Sequence, residues 1–508
     1  MPAGLMSMRP PNSPGRVFSA FAAAVLLLPA SGSCLGCIHG LEGRRTEPGT
    51  AVSPSAFWVP PVSAETEATP APQPSIPPDL LESAQNWGLP ELIDLALRKS
   101  PQTREAWSAA RAAAASLGSE RGSYYPAIAL DASITATRGA AVGGRFVFQS
   151  TSYGPNLVLG YLLFDFGGRS ASVEQARQAL IAADWTHNQA IQDVVLKVQQ
   201  AYYQYLNTKA LLQAAQVNTK GAQVDLDAAE QRHQAGVATI ADVLQARTSL
   251  SQSQLALETV EGAVQTVRGL LATAAGLPAS TVLEVQLPSG EMPEPDLSQV
   301  SQDVERLIDE AQKNRPELAA ARSRVLGSEA RIRDVQSTGR PSLTTNLSAG
   351  RISFDGGTNA TNTYTAGLML RVPLFNGLSY NYDVRRARED ANGAREQLAG
   401  LQQQIVLQVW TSYYNLKTAA VRIGTSKDLL ASAEKSYEAA SERYKAGVSS
   451  IIDLLTAQSQ LENARAQQVQ ARTDWFLSLA QLAHDTGSLG APTPATHPSP
   501  GSERRDQP

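Results

Sequence analysis

Arg232–Leu250 reads RHQAGVATIADVLQARTSL, and Arg443–Leu461 reads RYKAGVSSIIDLLTAQSQL. The two stretches lie 211 residues apart and share nine of nineteen positions: Arg, Ala, Gly, Val, Ile, Asp, Leu, Ala and Leu. The same offset aligns Phe164 with Phe375, Arg177 with Arg388, and Tyr202-Tyr203 with Tyr413-Tyr414. Nearer the N-terminus the offset becomes 215, which aligns Leu92-Ile93-Asp94 with Leu307-Ile308-Asp309, Pro101 with Pro316 and Pro126 with Pro341. The chain is therefore a tandem duplication, with four extra residues in the first copy between Pro126 and Tyr153. A repeat of ~200 residues is too long for a solenoid unit, so one architectural unit is built twice.

Each quoted stretch carries a helix stop and a helix start. Gly236 and Gly447 interrupt runs that are otherwise free of proline, and glycine is the usual residue at a positive-φ helix end. Within three residues, Thr239-Ile-Ala-Asp242 and Ser450-Ile-Ile-Asp453 supply the hydroxyl-x-x-acid spacing of an N-cap. A helix that stops and restarts so tightly doubles back as an antiparallel hairpin. Upstream, Ser170–Gln234 contains no proline and one glycine, Gly221. At 1.5 Å per residue this is ~95 Å of helix, far beyond the ordinary globular length. Ser379–Ala446 repeats it.

Before each long helix the period changes from 3.6 to 2. Ile128, Leu130, Ala132 and Ile134 alternate with Asp131, Ser133 and Thr135, and Tyr153–Leu163 alternates likewise. In the second copy Leu343, Thr345, Leu347 and Ala349 oppose Thr344, Asn346, Ser348 and Gly350, and Tyr364–Val372 follows suit. Such alternation marks strands with one apolar and one polar face. Their length of about ten residues suits a tilted bilayer crossing, with the polar face lining a lumen. A sheet packed on a protein core would alternate in the same way. If the strands cross a membrane, four per chain cannot close a barrel, and an open edge in lipid leaves amides unpaired. Several chains must then share one barrel.

The expected organisation is as follows. Residues 1–37 form an export signal, with Arg9 and Arg16 ahead of the twelve-residue apolar run Val17–Leu28; Cys34 and Cys37 just after it are candidate lipidation sites. Residues 38–79 form a Pro-rich disordered tether. The first repeat spans 80–277, with strands near 126–137 and 152–163 and a helical hairpin over 170–276. A connector follows over 278–302. The second repeat spans 303–489, with strands near 342–350 and 363–373 and a hairpin over 379–486; a disordered tail covers 490–508. With net charge −4 and no long basic run, nothing favours nucleic acid. The five histidines lack metal-ligand spacing and no phosphate-binding Gly-Lys-Ser/Thr motif occurs, so neither catalysis nor a cofactor is expected.

The duplicated order of elements and the tip motif Arg-x-x-Ala-Gly-Val-x-x-Ile-x-Asp-[Val/Leu]-Leu-x-Ala resemble the TolC-like outer-membrane channel family. Arg315-Pro316-Glu317-Leu318 and Pro373-Leu374-Phe375-Asn376-Gly377 add to the likeness, which covers about residues 80–489. The resemblance implies a homotrimer in outer-membrane lipid with a shared 12-stranded β-barrel and a long trimeric α-barrel crossing the periplasm. It also implies partners: a periplasmic adaptor protein and an inner-membrane pump of resistance-nodulation-division or ATP-binding-cassette type. By the same resemblance Asp242 and Asp453 line a periplasmic aperture, where six carboxylates meet in the trimer. Capping their own helices is the simpler role, and the two are compatible. Where some relatives carry a further acid, this chain has Thr456, with Gln245 in the other copy. The resemblance places adaptor docking at Arg232, Gly236, Val237, Thr239, Arg443, Tyr444, Gly447, Val448, Ser449 and Ser450; Arg232, His233, Arg443 and Tyr444 equally suit a solvated or interhelical face. Three functions follow in order: the passive exit duct of a tripartite efflux pump, the outer-membrane channel of an ATP-driven type I protein secretion system, and a pore-less periplasmic coiled-coil scaffold.

Overall fold

A computed structural model describes residues 49–59, 88–141, 143, 145–281, 283, 285, 303–355 and 360–489. The signal segment, both cysteines, most of the connector and the tail lie outside these residues. In the first repeat, α1 (Leu89–Lys99) and α2 (Pro101–Gly122) lead into β1 (Ala127–Ala141) and β2 (Phe146–Phe164). The hairpin α3 (Gly168–Gln234) and α4 (Ile240–Ala274) follows. The second repeat runs α5 (Val304–Asn314), α6 (Pro316–Thr338), β3 (Ser342–Phe354), β4 (Thr361–Arg371), α7 (Ser379–Lys445) and α8 (Ile451–Asp485). Pro101 and Pro316 each stand at the first position of a helix, where the missing N–H costs nothing.

The two long helices are 67 residues each, ~100 Å at the standard rise. Each begins at a residue in the left-handed region, Gly167 (φ 92°) and Leu378 (φ 68°), which turns the chain out of the sheet. Around the middle of the long helices, α3, α4 and α1 share one core built on Leu92, Val198, Leu206 and Leu271. A second core joins α5, α7 and α8 through Leu307, Ile405, Leu416 and Trp475. The aromatic pairs divide their roles: Tyr202 is buried, Tyr203 stacks on Phe476 of α8 at 5.0 Å, and Tyr414 stays exposed.

The four strands form one antiparallel sheet in the order β1-β2-β3-β4. Directly opposed residues share a face, so Leu130, Leu157, Ala349 and Tyr364 make one row across the sheet. Asp131, Asn156, Gly350 and Thr363 make the adjacent row on the other face. The strands of the first repeat are longer than the sequence pattern suggests, at 15 and 19 residues against 13 and 11 in the second. The four extra residues of the first copy lengthen this hairpin, and the segments 137–141 and 146–151 that extend it, TRGAA and FVFQST, lack the apolar/polar alternation. β1 and β4 keep free outer edges in the single chain.

One stretch of the expected tether is ordered against the body. Trp58 is buried and packs edge-on against Trp185 of α3 at 5.1 Å. Its N–H donates to Asn188 Oδ1 at 2.9 Å, and Asn188 Nδ2 donates back to its carbonyl at 3.2 Å. Trp107 Nε1 donates to the Ala51 carbonyl at 3.1 Å and His187 Nε2 to that of Pro54 at 3.0 Å. Composition marks 49–59 as tether because it lies within a Pro/Ala/Ser/Thr-rich run; the buried Trp58 indole packed on Trp185 and four hydrogen bonds offset the ordering entropy.

Candidate functional site

The two hairpin tips lie side by side at one end of the molecule, and each is built by the same local chemistry. Gly236 (φ 75°) and Gly447 (φ 78°) occupy the left-handed position that ends the helix. Around each, two backbone bonds close the turn: Val237 N–H to Arg232 O at 2.9 Å with Gly236 N–H to His233 O at 2.9 Å, and Val448 N–H to Arg443 O with Gly447 N–H to Tyr444 O, both 3.0 Å. The return helices start in full capping boxes. Asp242 accepts from Thr239 N–H at 2.8 Å and Asp453 from Ser450 N–H at 3.2 Å, while the threonine and serine hydroxyls accept in return from the acids' own N–H groups. Hydrogen bonds from Ser449 and Ser450, helped by the charge of Arg443, hold the Asp453 carboxyl below its ordinary pKa. Asp453 is thus an exposed, ionised carboxylate at neutral pH.

The tip residues expected to dock a partner divide into two groups. Val237 and Val448 are 64% and 68% exposed, and Thr239, Arg443, Gly447 and Ser450 are exposed with them. Ile240, Leu244 and Ile452 extend this apolar surface into α4 and α8. Behind it an open groove of about 780 Å³ runs between α4 and α8, lined by Leu244, Gln245, Thr248, Ile452, Leu455 and Thr456 among others. Tyr444, by contrast, is only 3% exposed and cannot present itself to a partner. Arg232 lies across its ring at 4.7 Å and donates to the carbonyls of Tyr444 and Lys445. This pair joins α3 to α7 and fastens one hairpin to the other.

A buried polar layer that the sequence does not announce lies further up the hairpins. Asp225 is 3% exposed and accepts from the Tyr437 hydroxyl at 3.2 and 3.3 Å. Oriented to satisfy both ends of its amide, Gln458 donates to Asp225 at 3.1 Å and accepts from Ala222 N–H at 3.3 Å. Burial pushes the Asp225 carboxyl up to about 6, against the Tyr437 hydrogen bond, and the Tyr437 hydroxyl up to about 12. Arg465 donates to Asn218 at 2.8 Å nearby. Carboxylate, phenol and amide here tie α3 to α7 and α8. Among the described residues no group of three or more His, Cys, Asp or Glu side chains could hold a metal ion.

At the opposite end the sheet shows the two faces of a membrane barrel wall. Leu130, Tyr364, Leu368 and Leu370 are 65–77% exposed on one face. Asp131, Asn156, Ser348 and Thr365 line the other. No protein core covers the apolar face, so a sheet packed on a core is not what the alternation encodes. The model of outer membrane efflux proteins matches residues 92–277 and 307–488, most of both repeats.

The chain belongs to the outer membrane efflux protein family.

It is 29% identical to protein CyaE of Bordetella pertussis over 457 residues, covering 89% of this chain and 93% of that one. It is 26% identical to the outer membrane protein TolC of Escherichia coli K12 over 426 residues, covering 80% and 83%. In fold it matches the solved outer-membrane channel OprN with a TM-score of 0.72 at 20% identity, over 79% of this chain and 90% of that one. The chain is a TolC-like outer-membrane channel of the kind that serves efflux or secretion, with its sheet in the outer membrane and its helical tunnel in the periplasm. The family consists of channels and not enzymes.

Proposed function

We propose that this chain is the exit duct of a tripartite efflux pump, passively conducting substrates from a periplasmic adaptor and an inner-membrane pump to the cell exterior. Three copies close their four-stranded sheets into one 12-stranded barrel and their hairpins into one tunnel. The observation that carries the reading is the pairing of an apolar, uncovered sheet face with two free strand edges in one chain. In lipid those edges must be paired, and only further copies supply matching strands. Exposed Val237, Val448 and Ile452 at the tips give the adaptor an apolar seat.

A photoreactive residue at Ser449, crosslinked in cells and followed by mass spectrometry, tests the partner. Capture of the adaptor of a proton-driven pump supports small-molecule efflux. Capture of the adaptor of an ATP-driven exporter replaces that reading with protein secretion through the same duct. Capture of neither kind of adaptor removes the tip as a docking surface.

In the trimer Asp242 and Asp453 contribute six carboxylates at the tips. Asparagine keeps the side-chain oxygen that caps the helix but removes the charge. Asp242→Asn/Asp453→Asn is expected to lower the preference for cations over anions several-fold in planar-bilayer recordings, with the trimer intact. An unchanged permeability ratio would leave both residues as caps only.

A further inference from the structure

On each hairpin the apolar face of the sheet meets an arginine toward the end away from the long helices. Along β1 this face carries Ile128, Leu130 and Ile134 and then Arg138; along β3 it carries Leu343 and Leu347 and then Arg351. Arg138 stands opposite Gln149, and Arg351 opposite Asn362, so at this level the face is polar on all four strands, and the longer first hairpin continues past it to Ala140 and Val147. Tyr153 and Tyr364 lie on that face just before the change, opposite Ile134 and Ala349. Tyrosine at that position is the girdle of a membrane interface.

Height along the barrel axis agrees. At ~3.3 Å per residue and ~40° tilt, each strand residue climbs ~2.5 Å. Arg351 is ten residues beyond Pro341 and Arg138 twelve beyond Pro126. They therefore sit ~25 and ~30 Å above the periplasmic boundary, at the far rim of an apolar band ~25 Å tall. Both are exposed, and among the described residues neither guanidinium has a carboxylate within ion-pairing distance. Asp355, just past β3, forms no ion pair with either arginine, and its backbone N–H donates to Thr151 O at 2.8 Å. A cation held outward at the head-group level of a membrane, with no protein counter-charge, is placed for an anionic head group. The guanidinium fork fits phosphate oxygens in pairs.

We infer that Arg138 and Arg351 form an outward-facing belt that grips the phosphate groups of outer-leaflet lipid. The inference rests on the shared-barrel reading, which sets the height of both residues. Six arginines ring the trimer and fix its depth in the bilayer.

The test uses the full-length protein purified in mild detergent, with native mass spectrometry after addition of bisphosphorylated lipid A or the same lipid with its phosphates removed. The wild type is expected to retain the phosphorylated form selectively. Two cations at a membrane surface contribute together about a thirtyfold effect on affinity, so Arg138→Gln/Arg351→Gln should lower retention about thirtyfold. Arg371→Gln, on the other face and at the other end of the sheet, should leave it unchanged. Inorganic phosphate at millimolar concentration should not displace the lipid, because the acyl chains contribute to binding on the adjacent apolar stripe. A trimeric mass with equal retention by the double variant, or equal retention of the dephosphorylated lipid by the wild type, would overturn the phosphate grip and leave the duct standing. A monomeric mass would overturn both.

Discussion

Arg315→Ala is expected to cost about 3–5 kcal/mol of stability, read as a large fall in the unfolding temperature of the assembled protein in detergent. Arg315 is 5% exposed at the break between α5 and α6. Its fork holds Glu317 through Nη2 at 2.6 Å and Nε at 3.1 Å; Nη1 reaches Gln408 Oε1 at 2.9 Å and the Asp485 carbonyl at 3.1 Å. The Asp485 carboxylate, equally buried, lies 3.7 Å from Nη1. Removing the guanidinium strips the half-buried Glu317 of its counter-charge and leaves the buried Asp485 with His484 alone, which is why truncation costs more than the pair itself contributes. Arg315→Lys should recover less than half of the loss, since an ammonium cannot span Glu317, Gln408 and Asp485 at once. The same cluster predicts a pH dependence. Burial works against charge on His484, but hydrogen bonds to Asp193 at 2.9 Å and Asp485 at 3.1 Å outweigh it and raise its pKa from 6.5 to about 9. A pKa raised in the folded state stabilises fully below pH ~6.5 and is lost as pH rises through about 9, a change of up to ~3 kcal/mol. The unfolding temperature should therefore fall between pH 7 and 9.5 in the wild type and stay nearly flat in His484→Gln. A fall of equal size in that variant would sink the assignment.

The Arg315 motif was legible in the sequence as a family-like string, but not as a buried ion cluster. Its partners Gln408, His484 and Asp485 lie at least 93 residues away. Local signals were readable because they are physical rules of short range. Gly236 and Gly447 end helices, Thr239/Asp242 and Ser450/Asp453 start them, and alternation over Ile128–Thr135 and Leu343–Gly350 makes strands. What failed were long-range decisions. Residues 49–59 read as tether by composition, yet Trp58 finds Trp185 and Asn188 some 130 residues on. Asp225 and Tyr437 look like members of a solvated helix face, because a buried polar layer has the same sequence periodicity as a surface one. Tyr444 sits beside a docking tip in sequence but is claimed by Arg232 from the other repeat. The duplication itself carries this ambiguity, since Arg232 and Arg443 occupy equivalent positions with different surroundings. Within the chain Arg232 faces the neighbouring hairpin, whereas Arg443 is exposed.

Arg232→Ala should open the channel. Arg232 is on α3 and Tyr444 on α7, so their contact is a tie between hairpins and contributes nothing within either. A desolvated cation–π contact is worth ~2 kcal/mol, and a hydrogen bond from a charged donor ~1.5–3 kcal/mol. Losing ~3 kcal/mol from a closed arrangement favoured 99 to 1 would shift the closed-to-open ratio more than a hundredfold. The Asp225–Tyr437 tie holds the same two helices further up, so Arg232→Ala/Tyr437→Phe should exceed either single change. The expected readout is a rise in single-channel conductance or open probability in planar bilayers, with the trimer still intact on a gel. Substitutions at Tyr444 separate this mechanism from a general loss of packing. Its hydroxyl is buried without a hydrogen-bond partner among the described residues, so Tyr444→Phe should conduct like the wild type. Tyr444→Leu keeps most of the apolar volume but loses the ring face that Arg232 covers, and should conduct like Arg232→Ala. Wild-type conductance in both Arg232→Ala and Tyr444→Leu would show that this contact does not hold the tips together. The tie uses the C-terminal carbonyls of α7 as acceptors, so its strength depends on Gly447 keeping that helix end in its left-handed turn. The glycine that makes the hairpin possible thereby also presents the carbonyls that the neighbouring hairpin grips.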